Sequence, residues 1–156
     1  ADATLAKRSL YARLKASLPC NSPPQTLLFD AFFEGFRGAV PNLPALLPEI
    51  WLHWDPRTVK ERGPEALLRF RMDFLLLLPQ GVRVVIEVDG KHHYADANGS
   101  ADVQRYAQMV KADRELKLAG YEVFRFGAAE LQVPTAKADV KTFFEALFKR
   151  YGVPTT

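Results

Sequence analysis

The strongest constraint on this chain is the stretch at residues 69–94, RFRMDFLLLLPQGVRVVIEVDGKHHY, where acidic residues are planted inside two apolar runs. The branched and aromatic residues at 67–78 and 82–89 read as β-strands, and Pro79 and Gly81 punctuate the turn between them. In the register that pairs Leu78 with Val82, Asp73 falls directly opposite Glu87. Alternation places Asp89 and Lys91 on the face of Glu87, and Arg69 and Arg71 on the face of Asp73. Facing carboxylates repel one another, and among Leu, Val and Ile they also lose hydration. A divalent cation between them removes both penalties.

The remaining elements arrange themselves around this hairpin. Leu5, Leu10, Leu14 and Leu18 recur at roughly helical intervals over residues 4–18, and the Pro-Cys-Asn-Ser-Pro-Pro stretch at 19–24 breaks that helix. A second helix is expected over 25–38. Residues 41–48 read as a Pro- and Leu-rich connector, 49–54 as a short strand, and 55–63 as a polar loop. After Tyr94 a polar loop leads to a helix over 101–119, with Ser100 as its N-cap and Gly120 just past its end. The inner stripe of that helix is expected at Val103, Tyr106, Ala107 and Val110. A strand at 121–126 and a helix at 136–151 complete an α/β order with a central mixed β-sheet flanked by helices.

At 156 residues the chain is most economically one compact unit, with an N-terminal helical extension at 1–21 and the main domain at 22–156. An apolar content of 48% and a charged content of 25% are ordinary for a globular protein. The net charge of +3 permits contact with a polyanion without demanding it. The single cysteine, Cys20, excludes an internal disulfide and fits a reducing, cytoplasmic setting. The longest apolar run is too short to span a membrane, and no signal-peptide pattern is visible. The opening Ala in place of Met is what an excised domain or a processed chain would show.

With these acids on the second and third strands, the αβββαβ core resembles the PD-(D/E)XK, or restriction-endonuclease-like, nuclease superfamily. The string RMDFLLLLP…VVIEVDGKHHY…DRELKLAGYEVFRF is most similar to the branch of very-short-patch-repair endonucleases and related small bacterial proteins, over about residues 25–131. That resemblance implies a Mg²⁺-dependent endonuclease acting on DNA, with Mn²⁺ able to substitute, in defence against foreign DNA or in DNA repair. It implies Asp73 and Glu87 as metal-binding acids, and a homodimer or a larger partner protein where both strands are cut. In the family a lysine often stands two residues after the second acid. Here that position is Asp89, and Lys91 follows two residues later, so Asp89-Gly90-Lys91 is a second way to align the motif. Both alignments stay open. The departure equally suits a catalytically inactive nuclease-fold domain that binds nucleic acid or a protein.

The chemistry of the residues agrees with that reading. Phosphodiester hydrolysis needs an activated water and neutralised phosphate charge, and a metal on hard oxygen ligands supplies both. Asp73, Glu87 and Asp89 offer carboxylates, the Val88 backbone carbonyl adds an oxygen, and Lys91 suits water activation or phosphate contact. The competing reading pairs Asp73 with Arg71 or Arg125 and makes Asp89-Gly90 a simple turn. His93, or the adjacent His92, titrates near neutrality and suits general acid–base work. Arg71, His92, Tyr94, Arg114 and Arg125 are the candidate nucleic-acid contacts, although Asp113 with Lys117 at helical spacing offers a bland role for that region. Glu34 is a weaker metal candidate. A zinc site from Cys20, His53, His92 and His93 lacks metal-type spacing. Trp51, Trp54 and the aromatics at 32–36 are core residues first and base-stacking groups second.

Overall fold

The computed structural model describes residues 3–39, 42–51, 71–91, 95 and 99–154. Helices α1 (Ala3–Ala16) and α2 (Pro23–Gly35) come first, and Pro23 and Pro24 occupy the opening turn of α2, where the missing N–H groups cost nothing. Strand β1 (Leu46–Trp51) follows, then β2 (Arg71–Leu77) and β3 (Arg83–Asp89) joined by a single 3₁₀ turn at Pro79–Gly81. Helix α3 (Val103–Leu118), strand β4 (Tyr121–Gly127) and helix α4 (Ala136–Tyr151) complete the order. One four-stranded mixed sheet runs β1-β2-β3-β4, antiparallel except for the parallel pairing of β3 with β4. A parallel pair needs a crossover, and α3 is that crossover. The result is an α/β protein with helices on both sides of a mixed sheet.

The hairpin keeps the register expected from its turn. Phe74 pairs with Ile86 and Leu77 with Arg83, and the Leu78 amide donates to the Val82 carbonyl at 2.9 Å. Gln80 and Gly81 both take positive φ to close the three-residue turn.

Alternation then sorts the strands. Phe74, Leu76, Val84, Ile86 and Val88 enter a large core with Leu28, Phe29 and Phe32 of α2 and Val140, Phe144 and Phe148 of α4. On the other side Val85, Met72 and Leu116 form a small cluster beneath α3. The α3 C-terminus is pinned there by Arg83, whose guanidinium donates to the Ala119 carbonyl at 2.9 Å and stacks over Tyr121. Gly120, at φ +84, lets the chain turn from α3 into β4.

Three expectations need correction. Strand β1 begins at Leu46, inside the stretch read as a connector, because Pro48 is tolerated in an edge strand. The N-cap of α3 is Asp102 rather than Ser100: its carboxylate accepts from the amides of Gln104 and Arg105 at 2.9 and 3.1 Å. The expected inner stripe of α3 is also wrong, since Val103 is 75% exposed and Tyr106 57% exposed, while Leu116 is the buried residue. The first half of α3 is exposed. His53, Trp54, the loop at 55–63 and residues 67–70 lie outside the described residues.

No helix among the described residues is long and apolar enough to cross a membrane. Cys20 is free and exposed.

Candidate functional site

The acids gather where β2 and β3 part company. In a regular ladder the hydrogen-bonded pairs recur every second residue, so after Phe74 with Ile86 the Val88 amide should meet the Met72 carbonyl. It donates instead to the side chain of Asp73, at 2.8 Å to Oδ2. The residue-by-residue pairing ends at Phe74 and Ile86. Met72 and Leu75, three residues apart, both pack against the cluster under α3, which strict alternation forbids. The strand is therefore irregular at Asp73, and its carboxylate fills the gap.

Glu87 lies beside that gap and is 9% exposed, against 7% for Asp73. Its carboxylate has no hydrogen-bond or ion-pair partner among the described residues. Burial, the neighbouring charge of Asp73, and more weakly Asp89 and Asp113 push its pKa up to about 8, against a partial offset from Arg125. Burial beside Asp73 thus favours the protonated form of Glu87 unless a cation takes the place of the proton.

Asp89 has a different fate. Arg125 stands opposite Glu87 in the parallel register but turns its fork to Asp89, with Nε and Nη2 each 2.7 Å from the two carboxylate oxygens. Its remaining nitrogen, Nη1, reaches Asp113 of α3. Burial alone would lower the Arg125 pKa, but Asp89, Asp113 and Glu87 raise it above its ordinary value. Asp113 therefore pairs across to the sheet and not with Lys117. Arg114 is exposed beside it on α3.

The other expected residues spread out. Arg71 holds Glu49 at 3.0 Å, so neither arginine considered for Asp73 is its partner. Lys91 is exposed just past the end of β3, with its ammonium beside Gly99 and its carbonyl accepting from the Ala95 amide at 2.9 Å. Glu34 pairs with Lys137 at 2.8 Å on the opposite flank of the sheet. Val88 alternates with Glu87 and Asp89, and since the Asp89 carbonyl bonds toward β4, the Val88 carbonyl faces the β2 side with Asp73. His92, His93 and Tyr94 lie outside the described residues.

One acid escaped the reading of the sequence. Glu49 of β1 stands opposite Asp73, at the one position missing between the pairs Pro48–Phe74 and Ile50–Met72. Its φ of +54 is rare for a side-chain-bearing residue, and Oε1 is buried with no hydrogen-bond partner among the described residues. Burial raises its pKa, the Arg71 charge and, more weakly, a hydrogen bond from the Gln25 side chain oppose that, and Asp73 adds to it. Only the strand signal at 49–54 pointed near it. Among the described residues no group of three or more His, Cys, Asp and Glu converges closely enough to hold a metal ion. What the site offers is a buried pair, Asp73 and Glu87, with Glu49 on one side and the Asp89–Arg125–Asp113 network on the other.

No family model matches the chain, and neither a curated protein nor a solved structure matches it.

Proposed function

We propose that this chain is a Mg²⁺-dependent nuclease acting on DNA, built on the restriction-endonuclease-like αβββαβ core. The observation that carries the reading is Glu87, buried against Asp73 where β2 and β3 separate, with no ion-pair partner among the described residues. Two buried carboxylates beside a strand carbonyl are hard oxygen donors, the kind Mg²⁺ and Mn²⁺ prefer. Asp73, Glu87 and the Val88 carbonyl would hold the ion. When bound it would supply an acidified water and offset charge on the phosphate. Asp73, already fixed by the Val88 amide, keeps one oxygen oriented by the backbone. Arg125 anchors Asp89 and limits the negative potential around Glu87. Lys91 and Arg114, exposed and without ion-pair partners among the described residues, would meet the phosphate backbone. A cytoplasmic setting goes with this reading.

A second reading is a catalytically inactive domain of the same fold that binds nucleic acid or a protein. The engagement of Asp89 by Arg125, and the position of Lys91 at Gly99, favour it. One set of measurements separates the two. Purified protein is incubated with plasmid and with linear DNA in Mg²⁺, Mn²⁺ or EDTA, beside Asp73→Ala and Glu87→Ala, while calorimetry follows Mn²⁺ binding. The nuclease reading expects metal-dependent cleavage that both substitutions abolish. Absence of both cleavage and metal binding in the unmodified protein overturns it.

A further inference from the structure

A second feature, built from segments that precede Asp73 and Glu87 in the chain, is a cavity of about 410 Å³ between α1, the end of α2 and the segment entering β1. Small-molecule sites commonly measure about 300–1,000 Å³, so its size is that of a working pocket. Its apolar lining comes mainly from Tyr11, Leu14, Phe33 and Leu43. The Tyr11 and Phe33 rings meet edge to face at 4.7 Å, and the Tyr11 hydroxyl donates to Asp30 at 3.1 Å, which fixes the ring. Lys7 ties one wall to the other by donating to the Leu43 carbonyl at 2.8 Å.

The rim carries the second half of the pattern. Arg8 and Arg37 line the same cavity, both are exposed, and neither has an ion-pair partner among the described residues. Among the described residues the acid in the lining is Glu34, and it pairs with Lys137 at 2.8 Å. A pocket with a fixed aromatic wall and two uncommitted guanidinium forks at its mouth suits a planar ring joined to a phosphate. Aromatic rings stack on any base, and the arginine fork matches phosphate oxygens in pairs.

We propose that this cavity binds a nucleoside monophosphate unit, free or as one nucleotide of a single strand, with the base against Tyr11 and Phe33 and the phosphate on Arg8 and Arg37. Binding here needs neither Asp73 nor a metal, so it stands or falls separately from cleavage.

The test is a calorimetric titration of the full chain at low salt with thymidine monophosphate, thymidine, inorganic phosphate and a four-residue oligothymidylate. The monophosphate should bind at least tenfold tighter than thymidine or phosphate alone. Arg8→Ala and Arg37→Ala, both at exposed positions, should each weaken it about tenfold, the scale of a charge-assisted hydrogen bond. Ala45→Phe, which fills the cavity, should abolish binding in a protein whose melting temperature shows it folded. An oligomer that binds tighter than the monophosphate identifies a strand as the ligand, and the reverse order identifies a free nucleotide. Phosphate or thymidine binding as tightly as the monophosphate overturns the proposal. So does binding that survives in Ala45→Phe, or that disappears in EDTA or in Asp73→Ala.

Discussion

Beneath α2 and α4 the sheet packs Phe74, Ile86 and Val88 against a net of rings in which Phe32, Phe36, Phe144 and Phe148 all touch. Beneath α3 the described residues form a smaller cluster, Met72, Val85 and Leu116 with Leu75, Tyr121 and Val123 at its edge, and next to it stand Glu87, Asp89, Arg125 and Asp113. One face supplies apolar burial in bulk, and the other carries charge that burial makes costly. The difference shows how a thin layer can keep a buried acid with no partner among the described residues: the opposite face carries the stability that the acid removes.

The largest expected effect tests the thick side. Phe144→Ala should cost about 3–5 kcal/mol, as deep aromatic truncations do, measured by urea unfolding. A loss below 1 kcal/mol would mean that the aromatic net is not what carries the fold. Next comes the charged side. Arg125→Ala leaves Asp89 and Asp113 without their shared cation and should cost about 2–3 kcal/mol, somewhat less than breaking a fully buried pair. It should also drive the Glu87 pKa further up, which carboxyl titration by NMR would follow.

Glu87→Gln has the opposite sign. Folding raises the Glu87 pKa from 4.5 to about 8, so the native state holds a proton that the unfolded chain has lost within that window. Stability from this group therefore falls as pH rises from 4.5 to 8 and levels off above it. The neutral substitution should be indistinguishable from the unmodified chain at pH 4 and more stable at pH 9, by a difference that grows through the window from 4.5 to 8. Thermal melts across that range, without divalent metal, give the answer. A pH-independent difference would show that the shape of Glu87, not its charge, matters. The smallest effect belongs to the exposed start of α3, where Val103→Ser should change stability by less than about 0.5 kcal/mol in the same unfolding experiment.

Short-range signals made most of the fold legible. The Pro-Gln-Gly turn fixed the hairpin register, Gly120 marked the end of α3, and α4 runs over Ala136–Tyr151 as the spacing of Val140, Phe144, Leu147 and Phe148 indicates. Local pattern failed where a partner is distant or a rule is relaxed. Pro48 disguised the start of β1. Val103 and Tyr106 have helical spacing but stay exposed. Asp73 and Glu87 could be placed near one another because the hairpin alone relates them. The commitment of Asp89 to Arg125 required knowing that β4 returns parallel to β3, and Glu49 required knowing which strand lies on the other side of β2.

The mixed sheet also sets an order of events. Strands β2 and β3 close over a three-residue turn, whereas β4 reaches β3 only after the whole of α3 has folded back. Contacts between distant segments close late because they carry the larger loop entropy. Asp73 and Glu87 therefore meet before Arg125 arrives to temper them. Stopped-flow measurements should accordingly show Arg125→Ala accelerating unfolding while leaving the refolding rate nearly unchanged, the pattern of an interaction formed after the barrier.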